Sequence, residues 1–178
     1  MWDTLIAVLG TLAGVALASS TQLLTDRRSR AEQQRQRLAE AIDQLLGALL
    51  LYRELYWLVI ADIREGETET RDARAARYRA RSEITQARDR LGLATASPEL
   101  TAAAKEAAWS VIDLSDIELS SITDGRFSDD VEASLSAGRD RSRAAHTALR
   151  RAATFHIHHT SNAPHLHRSR QHTRRNNA

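Results

Sequence analysis

The sequence has no cysteine, and it has only two prolines and seven glycines among its 178 residues. Without cysteine there is no disulfide framework and no thiolate nucleophile or metal ligand, which excludes thiol chemistry. Helix breakers are scarce while Ala, Leu, Arg and Glu are abundant, and no segment alternates polar and apolar residues as a strand does. We therefore predict an all-α protein.

The sequence also lacks the common catalytic signatures. It contains no Gly-x-x-x-x-Gly-Lys-Ser/Thr, no Gly-x-Ser-x-Gly and no His-Glu-x-x-His motif. The Glu-x-x-His pairs of di-iron bundles are absent, because the first histidine is His146. Asp113, Asp116 and Glu118 lie close together in the sequence, but no histidine accompanies them at ligand spacing. We predict that the protein is not an enzyme and binds neither cofactor nor metal.

A long segment near the start of the chain, residues 4–25, contains no charged residue. No charged residue lies between Asp3 and Asp26, and residues 5–18 are almost wholly apolar. A helix of about 20 residues spans the roughly 30 Å hydrocarbon layer of a bilayer and satisfies its own backbone amides there. We therefore predict a transmembrane anchor over residues 1–26. A cleavable signal peptide, with a small-x-small site at residues 16–18, and a buried soluble helix are the alternatives.

Basic residues follow the uncharged run directly, whereas no Lys or Arg precedes it. This asymmetry predicts a single-pass protein of the cell membrane, with its N-terminus outside and its C-terminal domain in the cytoplasm. Three juxtamembrane arginines are expected to contact anionic lipid: Arg27, Arg28 and Arg30. Small residues at every fourth position predict self-association of the anchor helix through one face, formed by Gly10, Gly14 and Ala18.

Hydrophobic spacing after the anchor predicts a cytoplasmic helical bundle over residues 27–158. Its first helix continues from the anchor to about Ile63, and Arg53 and Glu54 at its centre exclude a second membrane span, because each would cost about 2.5–3.5 kcal/mol there. Its heptad seam consists of Leu38, Ile42, Leu45, Leu49, Tyr52, Tyr56, Val59 and Ile63. Four further apolar residues widen the buried side of this helix: Leu46, Leu50, Trp57 and Ile60.

Three more helices complete a bundle of about four, and their short connections predict antiparallel neighbours. The first helix is expected to end at Gly66 and the second at Gly92, and the third is expected to extend past Ser121. The expected end of the third helix is Asp124-Gly125. The expected N-terminal caps of the second, third and fourth helices are Thr68 or Thr70, Ser97 and Ser128.

The last segment, residues 159–178, has no hydrophobic periodicity and no acidic residue. Such a composition predicts a disordered tail. Six histidines lie in or beside it, and because nothing would hold them in place we interpret them as a solvated polar tract rather than a metal site. Four arginines could contact an anion, including nucleic acid, weakly and in a salt-sensitive manner: Arg168, Arg170, Arg174 and Arg175.

The N-terminal region also resembles a known family. The segment Leu5-Ile6-Ala7-Val8-Leu9-Gly10-Thr11-Leu12-Ala13-Gly14, the Arg/Gln-rich stretch 27–37 and the Ala/Arg-rich helices after it are similar to the KilB-type spread proteins of actinomycete conjugative plasmids. The resemblance implies a small membrane-associated accessory to plasmid transfer or to spread along the mycelium, acting beside a DNA translocase. It implies no catalytic residues.

The sequence thus predicts a non-catalytic interaction protein whose anchor lies in the lipid bilayer and whose bundle assembles with itself or with other membrane or transfer proteins. Two alternatives stay open. One is a membrane-tethered module that binds nucleic acid or anionic lipid through its basic tail. The other is a membrane-perturbing effector.

Overall fold

The computed structural model describes residues 2–119 and 122–161, with side chains described at residues 22, 25, 26, 28–119 and 122–157. These residues form four α-helices and no β-strand, which confirms the all-α prediction. A single 3-10 turn, Asp113–Asp116, follows the third helix. The helices are α1 (Trp2–Arg64), α2 (Arg71–Ala94), α3 (Pro98–Ile112) and α4 (Asp129–Ser161).

Internal contacts divide the chain into two compact units, Met1–Glu40 and Ala41–Ala178. The first unit contains the N-terminal part of α1, where Arg35 and Glu32 form an exposed ion pair one turn apart at 3.6 Å. Such exposed i,i+3 pairs stabilise a helix by only a few tenths of a kcal/mol.

Within the part of the chain that the structure describes, no helix combines the length and the apolar character that crossing a membrane requires. This finding gives no support to the transmembrane anchor predicted at residues 1–26. The side chains of residues 2–21, on which that prediction depends, lie outside the described part. The anchor therefore stays a prediction.

In the second unit, α1 runs antiparallel to both α2 and α4. Gln44 near the start of this part of α1 accepts a hydrogen bond from Arg90 near the end of α2, at 3.1 Å. At the other end of α1, Arg64 forms an ion pair with Glu132 in the first turn of α4, at 2.6 Å between Nη2 and Oε2. The beginning of this part of α1 thus lies beside the end of α2, and the end of α1 lies beside the beginning of α4. Both α2 and α4 therefore run in the direction opposite to α1.

The α3 helix completes the antiparallel bundle by packing against α2 and α4. Arg141 of α4 forms exposed ion pairs with Glu106 at 3.2 Å and with Asp113 at 3.3 Å. Gly138 lies one turn before Arg141 on α4. The side chain of Leu114 fills the space beside this glycine, since a Cβ at position 138 would stand 2.6 Å from Leu114 Cδ2. The four helices therefore alternate in direction, as their short connections predict.

The core of the second unit contains the predicted heptad seam of α1 from Ile42 onward. Every seam residue is buried except Ile63, which is half-buried, and Ile60 beside the seam is buried as well. The other three helices contribute smaller buried seams, with large apolar residues that include Leu91, Leu100 and Leu149. Burial of each large aliphatic side chain contributes about 1.5–3 kcal/mol, so the seams of the four helices together stabilise the bundle.

Local sequence signals set most helix ends. Gly66 adopts a φ of +85°, which favours glycine, and it lies two residues after α1 ends. The Thr70 Oγ1 accepts the backbone N–H of Ala73 at 3.1 Å, and Ser97 Oγ accepts that of Leu100 at 3.3 Å, so the predicted N-caps of α2 and α3 are confirmed.

The prediction that Gly92 ends α2 is wrong. The helix continues through this glycine to Ala94, and the Thr95 N–H closes it by donating to the carbonyl of Leu91 at 3.2 Å. A glycine inside a helix costs only about 1 kcal/mol relative to alanine. Burial of Leu91 offsets a penalty of that size.

The predicted extension of the third helix past Ser121 is also wrong. The α3 helix ends at Ile112, and the 3-10 turn that follows it is not continued as a helix at residues 117–119 or 122–123, ahead of the turn at Asp124-Gly125. Ser115 Oγ donates to the Ile112 carbonyl at 2.7 Å, a local bond that competes with a further helical turn. The tighter turn also leaves Leu114 fully buried. Ser121 itself lies outside the described residues.

Candidate interaction surfaces

The structure places only some of the predicted site residues. Arg28 and Arg30 are exposed on the first unit's part of α1. The surroundings of Gly10 and Gly14 and the side chains of Ala18 and Arg27 lie outside what the structure describes, as do the whole residues Arg168, Arg170, Arg174 and Arg175. No contact between these residues is described, so their proposed roles at lipid, at a second anchor helix or at an anion remain predictions.

The bundle exposes large apolar side chains on α1. Leu50 is 46% exposed, Leu51 42% and Leu58 54%, and we name these three residues the outer α1 strip. At about 100° per residue, Leu51 and Leu58 lie roughly opposite the buried seam residue Leu49. The prediction that Leu50 widens the buried seam is wrong, because α2 and α4 cover the seam side of α1 and leave this residue outside.

A shallow hollow adjoins the outer α1 strip. It has a volume of about 370 Å³ and lies between α1 and α2, with Leu51, Gly47 and Arg90 among its lining residues. Apart from Gly47 itself, its chain neighbours and the adjacent helix backbone, no atom of the described residues lies within 4 Å of the position that a Cβ would take at Gly47. A partner side chain could therefore approach the α1 backbone beside the strip.

A second surface carries cations. Along α4, Arg139, Arg143 and Arg150 lie at steps of four and seven residues, which places them on one helix face beside α1. Across from them, α1 contributes Arg53, and we name these four residues the α1–α4 basic row. The Arg139 Cζ lies 5.8 Å from the ring centroid of Trp57, a cation–π contact between α4 and α1.

The charges of the α1–α4 basic row act on one another. Burial, and then the positive charge of Arg143, lower the pKa of Arg53. Burial, followed by the charges of Arg53 and Arg150, lowers the pKa of His146, which lies between the arginines on α4. The Nδ1 atom of His146 is buried and has no hydrogen-bond partner among the described residues. Imidazole in this setting is held neutral, while the guanidinium groups stay charged.

Sequence reasoning missed the α1–α4 basic row, because it assigned anion contact to the tail arginines. A signal was nevertheless present: after Glu132, α4 contains five arginines and one acid, Asp140. Three of these arginines recur with helical spacing. The contribution of Arg53 could not be found in this way, because only the packing of α1 on α4 brings it close.

Three charged residues at the start of α2 and just before it form a network with one another: Glu69, Arg74 and Arg77. Glu69 in the α1–α2 connection accepts hydrogen bonds from Arg77 at 2.9 and 3.0 Å and from Arg74 at 3.1 Å. The bond from Arg77 is the main reason that the pKa of Glu69 is lowered. This network ties the connection to α2. Among the described residues, no three His, Asp or Glu side chains are grouped as a metal site would need.

One protein-family model matches the part of the chain that forms the bundle. A family model described as KilB plasmid transfer protein matches residues 39–160, which contain both candidate surfaces. The match begins after residues 5–14 and 27–37, on which the sequence resemblance rests. No curated protein and no solved structure matches the chain. Because the match covers more than half of its length, the chain belongs to the KilB plasmid transfer protein family.

Proposed function

We propose that this protein is a non-catalytic, membrane-anchored interaction protein that supports plasmid transfer or intramycelial spread by assembling with copies of itself. Membership of a plasmid transfer family supports the biological process. The observation that carries the proposed mechanism is the outer α1 strip, where three leucines are about half exposed on one helix. A second copy of the chain is the proposed occupant, since the same helix also carries the predicted self-association residues of the anchor.

The size of the strip sets the strength of the proposed contact. Burying the exposed half of each leucine contributes about 1 kcal/mol, or roughly 3 kcal/mol for three residues. A dissociation constant of 1 mM already needs about 4 kcal/mol. The strip alone is therefore too weak to hold a dimer in solution. Confinement to a membrane raises the effective concentration enough for so weak a contact to form.

The anchor supplies that confinement in the proposal. Its support is the uncharged run between Asp3 and Asp26 and the cluster of Arg27, Arg28 and Arg30 that follows it. A helix held in the bilayer confines every copy of the bundle to one surface. Self-association then needs only the weak contacts that the outer α1 strip provides.

Site-specific crosslinking tests the proposal, and the absence of native cysteine makes each introduced thiol unique. In isolated native membranes, Leu58→Cys is expected to form a disulfide-linked dimer on mild oxidation, because the two α1 helices face each other there. The control is Ser82→Cys, an exposed position on α2. Equal dimer yields for the two variants, or no dimer with Leu58→Cys, would contradict the proposed contact.

A further inference from the structure

We propose that the α1–α4 basic row is a binding site for the sugar–phosphate backbone of a nucleic acid, with Arg53, Arg139, Arg143 and Arg150 as the phosphate contacts. This site goes beyond the self-association proposed above and does not depend on it. It also differs from the tail arginines, because its residues are fixed on two packed helices.

The first argument is the lack of compensating charge. None of the four arginines forms an ion pair with an acidic residue of the described chain, whereas Arg141 on another face of α4 has both Glu106 and Asp113 as partners. Like charges placed side by side on a helix destabilise it. Arg53 and Arg143 lie close enough for this repulsion to act between two helices. An anion bound among them would convert the repulsion into attraction.

The second argument is the length of the row. Arg139 and Arg150 lie 11 residues apart on one continuous helix, which at about 1.5 Å per residue is roughly 16 Å. One strand of a duplex carries a phosphate about every 3.4 Å along its axis. The row therefore matches about five successive phosphates. A single small anion would occupy only one pair of guanidinium groups.

The third argument separates a nucleic-acid strand from a membrane surface. Arg139, Arg143 and Arg150 are exposed along α4, whereas Arg53 on α1 is partly buried beside them. A flat bilayer surface would contact the exposed arginines alone, whereas a narrow strand that follows the line between the two helices also reaches Arg53.

The test measures fluorescence anisotropy of a labelled 20-nucleotide strand and of the corresponding duplex with the full chain in nonionic detergent. The variant is Arg139→Gln/Arg143→Gln/Arg150→Gln. We expect its affinity to fall more than about tenfold and the slope of log affinity against log salt to fall by about 2 to 3. The control, Arg71→Gln/Arg79→Gln/Arg81→Gln, removes the same charge from exposed positions of α2 and is expected to stay within about threefold.

Two further arms make the outcome decisive. Replacing the same three α4 arginines with lysine keeps the charge, so it is expected to restore most of the affinity and to show that the bundle tolerates change there. Vesicles with and without anionic lipid replace the nucleic acid in the second arm. The proposal is overturned if the glutamine variant binds nucleic acid like its control, or if it loses binding to anionic vesicles alone.

Discussion

Replacing Leu45 with alanine is expected to destabilise the bundle by about 2–5 kcal/mol. Leu45 has no exposed surface and lies in the seam of α1, which packs on both α2 and α4. Its truncation removes buried apolar area and leaves a cavity between elements that are held from several sides. Denaturant unfolding of the full chain in nonionic detergent, followed by circular dichroism, measures the loss.

The matched control is Leu58→Ala, the same chemical change on the same helix. Leu58 is 54% exposed, so we expect a loss of less than about 1 kcal/mol. Equal losses for the two variants would mean that the two faces of α1 are buried alike. The distinction between the seam and the outer α1 strip would then be untenable.

Replacing Glu132 with alanine is expected to cost about 2–3 kcal/mol. Its Oε2 accepts from Arg64 at 2.6 Å, and its Oε1 accepts the backbone N–H of Phe127 at 3.3 Å. The Arg64 guanidinium also lies 5.6 Å from the ring centroid of Phe127. Removing the carboxylate therefore leaves a part-buried cation and a backbone donor without their acceptor, where the ends of α1 and α4 meet.

Two comparisons test whether the loss of stability in Glu132→Ala comes from the lost ion pair with Arg64 of α1. Glu106→Ala breaks the exposed pair with Arg141 between α3 and α4, and we expect it to cost less than about 1 kcal/mol. A double-mutant cycle of Glu132→Ala with Arg64→Ala isolates the pair itself. A coupling energy near zero, measured by thermal or denaturant unfolding, would be inconsistent with α4 beginning beside the end of α1.

Local patterns determine much of this fold. The heptad spacing of α1 identified its buried seam, and the side chains of Thr70 and Ser97 cap the helices that they precede. These signals are readable because they depend on helical periodicity and on hydrogen bonds over three residues. The antiparallel order followed from the short connections between helices.

Features that depend on contacts with neighbouring helices could not be predicted from local sequence patterns. Gly92 does not end α2, since the packing of Leu91 carries the helix past it. Leu50 belongs to the apolar side of α1 by pattern, but its neighbours leave it exposed. The early end of α3 likewise depends on a turn that buries Leu114. At Gly92 tertiary packing outweighed a local preference of about 1 kcal/mol.

For the candidate surfaces too, local patterns could be predicted from the sequence, whereas arrangements that depend on tertiary packing could not. The predicted sites lay at the two ends of the chain, where composition is unusual, whereas the family match covers residues 39–160 between them. The α1–α4 basic row joins Arg53 to arginines about 90 residues later, and only the folded bundle brings them together. The outer α1 strip was readable only in part, because periodicity indicates an apolar helix but not which side stays uncovered.

Membrane attachment underlies the proposed function, and alkaline carbonate extraction of cell membranes tests it most directly. We predict that the full chain stays in the pellet after extraction and enters solution only with detergent, because a helix in the hydrocarbon layer is not displaced by charge or pH. Release of the full chain into the carbonate supernatant would contradict the anchor, and with it the confinement on which self-association depends.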